Sequence, residues 1–288
     1  MERIRNHMAA ESVARWHKRS SKRFADSSLM ASTRAWFFVV VVGQLLFAAY
    51  IVTLYGLAAL HAQLGNRDLF FNHRYIPGDR AGNAAVAVHI LFALVLSLSG
   101  AMQLVPQVRA RAPIFHRMNG RLLIVGAFLV GLAGLYLTWF RHAVGDLPQH
   151  IGISINAILI MLFSIFALRA AMNRNFAAHR RWALRLFMVV SSQWFFRLGF
   201  MFWAFINRGP VGFDENTFTG PFLTVMSFAD YLVPLIFLEL YLRTQTNKGV
   251  SARLAMSAGV FAITLVMCVG IFAAVMGMWL PPIQAVVK

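Results

Sequence analysis

Residues 151–171 read IGISINAILIMLFSIFALRAA, twenty-one positions in which Arg169 is the only charge. A helix rises about 1.5 Å per residue, so this block reaches across the roughly 30 Å hydrocarbon core of a bilayer. Six further blocks of the same kind flank it: Ala35–Leu60, Ala84–Val105, Leu122–Phe140, Ala183–Ile206, Phe222–Leu242 and Leu254–Leu280. The bulk composition agrees. AVILMFWYC residues make up 59% of the 288 positions and charged residues only 13%, where a soluble domain carries about a quarter. Mean hydropathy is +0.64. These features predict an all-α membrane protein, a bundle of seven transmembrane helices.

The charges between the blocks orient it. Lys and Arg collect in cytoplasmic connections. Eight of them precede the first block from Arg3 to Arg34. Arg109, Arg111, Arg117 and Arg121 lie between the second and third, and Arg169, Arg174, Arg180, Arg181 and Arg185 around the fourth and fifth. Arg243, Lys248 and Arg253 follow the sixth. In the alternate loops the basic residues are offset by acids: Arg67, Arg74 and Arg80 by Asp68 and Asp79, Arg141 by Asp146, and Arg208 by Asp214 and Glu215. The alternation predicts a cytoplasmic N-terminus and an outer C-terminus in the plasma membrane, the inner membrane of a bacterium. Residues 1–34 then form a basic cytoplasmic tail, mobile and drawn to anionic lipid. Residues 35–280 form the membrane domain, with a functional core at 84–206 wrapped by the other spans, and 281–288 a short outer tail. The net charge of +17 is accounted for by topology, and no nucleic-acid-binding fold accompanies it.

Cys268 is the only cysteine, which excludes a disulfide framework, a CxxC metal site and covalent CxxCH haem attachment. No Walker loop, GxGxxG, HExxH or nucleophile elbow is present.

Four of the nine histidines fall at matching depths. His89 and His150 open the second and fourth spans at the outer side, while His116 and His179 open the third and fifth at the cytoplasmic side. The separations are 61 residues for His89 to His150 and 63 for His116 to His179. Partners thus sit two helices apart, and the second–third and fourth–fifth spans look like a tandem repeat of one hairpin. Imidazole suits iron, and paired histidines on facing helices can hold a flat macrocycle inside a bundle. Arg117, Arg121, Arg180 and Arg181, with Arg185, would neutralise haem propionates at the cytoplasmic pair. Arg141 and Arg80 are the outer candidates. The plainer reading is that these histidines are boundary residues and the arginines obey the positive-inside rule. His61, His73 and His142 leave room for an outer metal site of another composition, and His7 and His17 of the tail carry no role.

Two charges lie inside the bilayer, Arg197 in the fifth block and Asp230 in the sixth. Burying either alone is costly, so the expectation is an ion pair, with Gln193 and Asn156 completing a network. The pair serves as an interhelical clamp, a proton or substrate path, or, through Arg197, a contact to a propionate or quinone. Glu239 reaches the interface. Gly126, Gly131 and Gly134 predict close helix approach. The aromatics Trp194, Phe195, Phe196, Phe200, Phe202 and Trp203 predict an interfacial, lipid-facing belt.

The stretch from His89 through Arg197 resembles a bacterial membrane family, domain of unknown function 2306. Val88-His89-Ile90, His116-Arg117 with Gly120-Arg121, His179-Arg180-Arg181-Trp182 with Arg185, and Arg197 carry the likeness. The family implies a membrane protein and no activity. The histidine arrangement is also similar to cytochrome b-561-type di-haem carriers. That resemblance implies an outer haem b on His89 and His150, and an inner one on His116 and His179. It also implies electron transfer from ascorbate or a quinol to an acceptor such as ferric iron. The expected function is therefore a b-type haem oxidoreductase of one or two haems, with a quinone as a further cofactor. Its partners are the bilayer and a small redox donor, acceptor or redox protein. The alternatives are a proton-coupled transporter or channel built on Arg197 and Asp230, and a haem-free assembly or sensor protein.

Overall fold

The computed structural model describes residues 2–65, 75–142, 145–246 and 249–287, and the side chains of the first helix at Trp16 and from residue 19 onward. Arg67, Asp68, His73, Arg74 and Lys248, and the side chains of Arg3, Arg5, His7, Arg15, His17 and Lys18, lie outside the described residues. The chain is helical: α1 Glu2–Leu60, α2 Arg80–Leu104, α3 Pro106–Arg111, α4 Pro113–Trp139, α5 Leu147–Met172, α6 Phe176–Val190, α7 Ser192–Asn207, α8 Pro221–Thr246, α9 Val250–Ala274 and α10 Leu280–Val287, with a π-helical turn at Val275–Trp279.

Six helices are long and apolar enough to cross a membrane, and α6 with α7 makes a seventh crossing if the bent pair is one span. Local chemistry sets their ends. Asp79, Asp146 and Asn175 accept hydrogen bonds from the backbone N–H groups of Gly82, Gln149 and Ala178, satisfying donors that a helix start leaves free. Pro106 and Pro113 open α3 and α4, where a missing N–H costs nothing.

Three expectations change. The basic segment is not a tail separate from the first span, because α1 runs unbroken from Glu2 to Leu60. Proline and glycine are absent before Gly43, so nothing in the chain interrupts the helix. Its lower part packs: Ala25 and Leu29 are buried, and Asp26 is ion-paired to Arg253 of α9. The fifth block is not one straight span, since α6 and α7 meet at Ser191 with a bend of 48°. The core is not spans two to five wrapped by the rest. Instead α1, α2, α4, α5, α8 and α9 pack in sequence and close on α1, and the broken span touches α2, α5, α8 and α9. Its residues appear in both main apolar clusters. Phe187, Met188, Trp194 and Leu198 meet α1 and α9, while Leu186 and Val189 meet α4, α5 and α8.

Buried polar contacts hold the break. Gln44 of α1 donates to the Ser191 hydroxyl at 3.0 Å, and Asn156 of α5 donates to Ser192 at 2.6 Å. A serine that ends one helix and a serine that begins the next are thus fixed from opposite sides of the ring.

Candidate functional site

His116 sits in the first turn of α4 and His179 in the first turn of α6, at the end of the bundle that carries most of the arginines. The two imidazoles lie within electrostatic reach of each other, and Arg109 of α3 bears on the same group. His179 Nδ1 lies 2.9 Å from the carbonyl of Ala167 on α5. An N–H at Nδ1 donating to that carbonyl leaves Nε2 as the free ring nitrogen, which is how a ligating histidine is usually oriented. His116 is held through its backbone. Gln103 Nε2 donates to its carbonyl at 2.9 Å, and Asn119, one turn further, donates to Ser99 of α2 at 3.2 Å. His116 Nδ1 is buried with no hydrogen-bond partner among the described residues. Arg117, Arg121, Arg180 and Arg181 are all exposed around this pair. Arg185 is not available to join them: its Nε lies 2.6 Å from Glu239 and its guanidinium 4.7 Å over Trp182. Glu239 is therefore an ion-pair partner rather than a group merely reaching the interface.

His89 and His150 have other neighbours. His89 is turned onto α4, where it hydrogen-bonds the Val130 backbone and lies against Gly134. His150 is buried, edge-on to Trp139 at 5.5 Å and stacked with His142 at 6.2 Å. Their helices, α2 and α5, each pack against α4. Arg141 is committed as well. It pairs with Asp79 at 3.4 Å and donates to the Gly82 carbonyl and to Asn83, locking the start of α2. Arg80 and His61 are exposed. No group of three or more metal-binding side chains gathers among the described residues.

The expected Arg197–Asp230 pair is not formed. Arg197 donates to the Gln193 carbonyl at 2.7 Å, rests 5.2 Å over the Phe47 ring, and feels Tyr50 and Tyr55 of α1. Asp230 faces away from it, into a cavity. Equal depth in two spans does not place two side chains on facing sides, and each residue turns a helix by about 100°. Asn156 bonds Ser192 instead of completing an ion-pair network.

The aromatics of α7 are not a lipid belt either. Trp194 is buried, and Phe196 and Phe200 pack with Phe213 and Phe218 of the following loop. Of the three glycines in α4, Gly126 is the tight one: a Cβ there would stand 2.7 Å from the Phe92 ring.

A large cavity was not foreseen. It encloses about 1240 Å³ between α1, the end of α2, α3, α6, α7, α8 and α9. Its walls are mostly apolar and aromatic, with Trp36, Phe37, Phe195, Phe237 and Tyr241 prominent. Asp230 stands in one wall, 5% exposed, and Arg34, Gln107, Gln245 and the Asp26–Arg253 pair lie among the lining residues as well. The sequence signal for it is Pro234, four residues after Asp230 inside an apolar span.

The model of a family described as "Predicted membrane protein (DUF2306)" matches residues 86–242, more than half of the chain. The match takes in α3 to α7 whole and most of α2 and α8. No curated protein and no solved structure matches the chain.

Proposed function

From the premise that this chain belongs to the DUF2306 family of predicted membrane proteins, we propose that it is a b-type haem protein carrying electrons at the basic end of its bundle. The observation that carries this reading is the His116–His179 neighbourhood, where His179 is oriented through Nδ1 onto Ala167 and His116 presents a buried, unbonded ring nitrogen. His116 and His179 would be the axial ligands. Haem iron held there supplies a reversible one-electron couple. Arg117, Arg121, Arg180 and Arg181 offset the propionate charge, and the Gln103 and Asn119 bonds hold His116 against α2.

Haem binding by His89 and His150 has no comparable support, so the proposal is one haem rather than two. In this reading the protein lies in a bacterial inner membrane with seven crossings, the bent pair counted as one. Its N-terminus and basic end face the cytoplasm, and electrons pass between a quinol or small reductant and a redox partner on that side.

Alanine variants test the ligand assignment. Purified His116→Ala and His179→Ala should each lose the haem measured by pyridine haemochrome, while His89→Ala and His150→Ala retain it. Full haem content in both inner variants would overturn the assignment.

A further inference from the structure

Two helix distortions meet around the large cavity. One is the break at Ser191; the other is Pro234 inside α8. Proline has no N–H, so the backbone carbonyl of Asp230, four residues earlier, loses its helical donor. The Asp230 side chain lines the same cavity, and its Oδ1 has no hydrogen-bond partner among the described residues; the carboxylate's recorded bond is to the Tyr231 backbone. A carboxyl oxygen therefore stands in a mostly apolar wall without a donor among the described residues. Asp230 forms no ion pair among the described residues. Arg197 is turned onto Phe47, and Arg253 is paired with Asp26. Arg34, the other cation of the lining, is exposed on α1.

A buried carboxyl group otherwise holds a proton, and ionises only against an opposite charge. Here the protein does not provide it, and the space beside it is large, lined by Phe37, Phe195, Phe237 and Trp36 and by the pliable side chains of Met188 and Met226. Aromatic faces attract cations, and methionine adapts to varied apolar shapes. We propose that this cavity is a binding site for lipophilic cations, in which the positive charge of a bulky apolar molecule meets Asp230 and its body fills the aromatic space. At about 1240 Å³ the cavity exceeds the roughly 300–1,000 Å³ of common small-molecule sites, which suits an organic cation with several rings. His116 and His179 are not among its lining residues, so this site and the haem site stand or fall separately.

The probe is radiolabelled tetraphenylphosphonium, measured by equilibrium dialysis on the purified full chain in detergent, with triphenylphosphine oxide as a neutral competitor of similar shape. The expected result is saturable binding that the neutral molecule fails to displace, weakened by at least about thirtyfold in Asp230→Asn. No saturable binding, displacement by the oxide as effective as by unlabelled cation, or undiminished binding in Asp230→Asn would each overturn the proposal. The second of these marks an apolar groove that takes acyl chains only. A measurement on the unaltered protein covers an Asp230→Asn chain that does not fold. Tetraphenylphosphonium should slow the labelling of Asp230 by dicyclohexylcarbodiimide, read as a peptide mass shift, and labelling at the same rate with and without the cation rejects the site.

Discussion

Arg185 makes two contacts with one charge, to Glu239 at 2.6 Å and to the face of Trp182 at 4.7 Å. Both partners lie on the broken span or against it, so the arginine ties α6 to α8. A double-mutant cycle with Arg185→Leu and Glu239→Leu should give a coupling of about 1 kcal/mol, the range of contacting residues. Additive single effects would show the pair to be inert. Asp214 serves the loop between α7 and α8 differently. Its carboxylate accepts from the Thr217 and Asn216 backbone N–H groups and from the Thr217 hydroxyl, and those bonds, Thr217 first, hold its pKa below the ordinary value. A depressed carboxylate favours the folded turn at pH above its unfolded value, and that contribution is lost as pH falls through the folded one. Hydrogen exchange at the Thr217 amide should therefore gain protection from Asp214 at pH 6 and lose it in strong acid. In Asp214→Asn this pH dependence should vanish. Arg197 and Asp230 show what residue counting cannot reach. Their depths were readable and their charge was costly in any pairing scheme, but their directions around the helix axis depend on which neighbours pack there. Arg197 found Phe47 and Gln193, and Asp230 found a cavity.

At the scale of the element, the break at Ser191 decides most of the architecture. Gln44 and Asn156 reach it from α1 and α5, and both are buried. Gln44→Leu or Asn156→Leu leaves a buried serine hydroxyl with one fewer partner, which costs about 1–3 kcal/mol. Thermal unfolding in detergent should register that loss for each variant, and in Gln44→Leu/Asn156→Leu trypsin should gain access near the break. Unchanged melting in both would mean the serines need no clamp. The spans themselves were legible, because runs of about twenty apolar residues are long and unambiguous. The break was not, since the apolar run continues across Ser191 and Ser192 and hydropathy carries no sign of a change in axis. The length of α1 had a readable signal of another kind. Residues 1–42 contain no proline or glycine, which favours helix even where no apolar stripe marks a packed face.

The whole molecule is a ring of six helices around a broken seventh, with chemistry divided between its two halves. At the basic end, His116 of α4 and His179 of α6 each stand in the first turn of their helix and lie within electrostatic reach of each other. His89 and His150 stand on α2 and α5, each of which packs against α4. Between α1, α8 and α9 the distorted spans leave a cavity that no motif announced. The central claim is that the basic end holds one haem between His116 and His179. Its most direct test is the absorbance spectrum of the chain purified from haem-replete cells, air-oxidised and then reduced with dithionite. The account predicts a sharp α-band on reduction and one haem per chain; a colourless protein, folded and monodisperse, would contradict it.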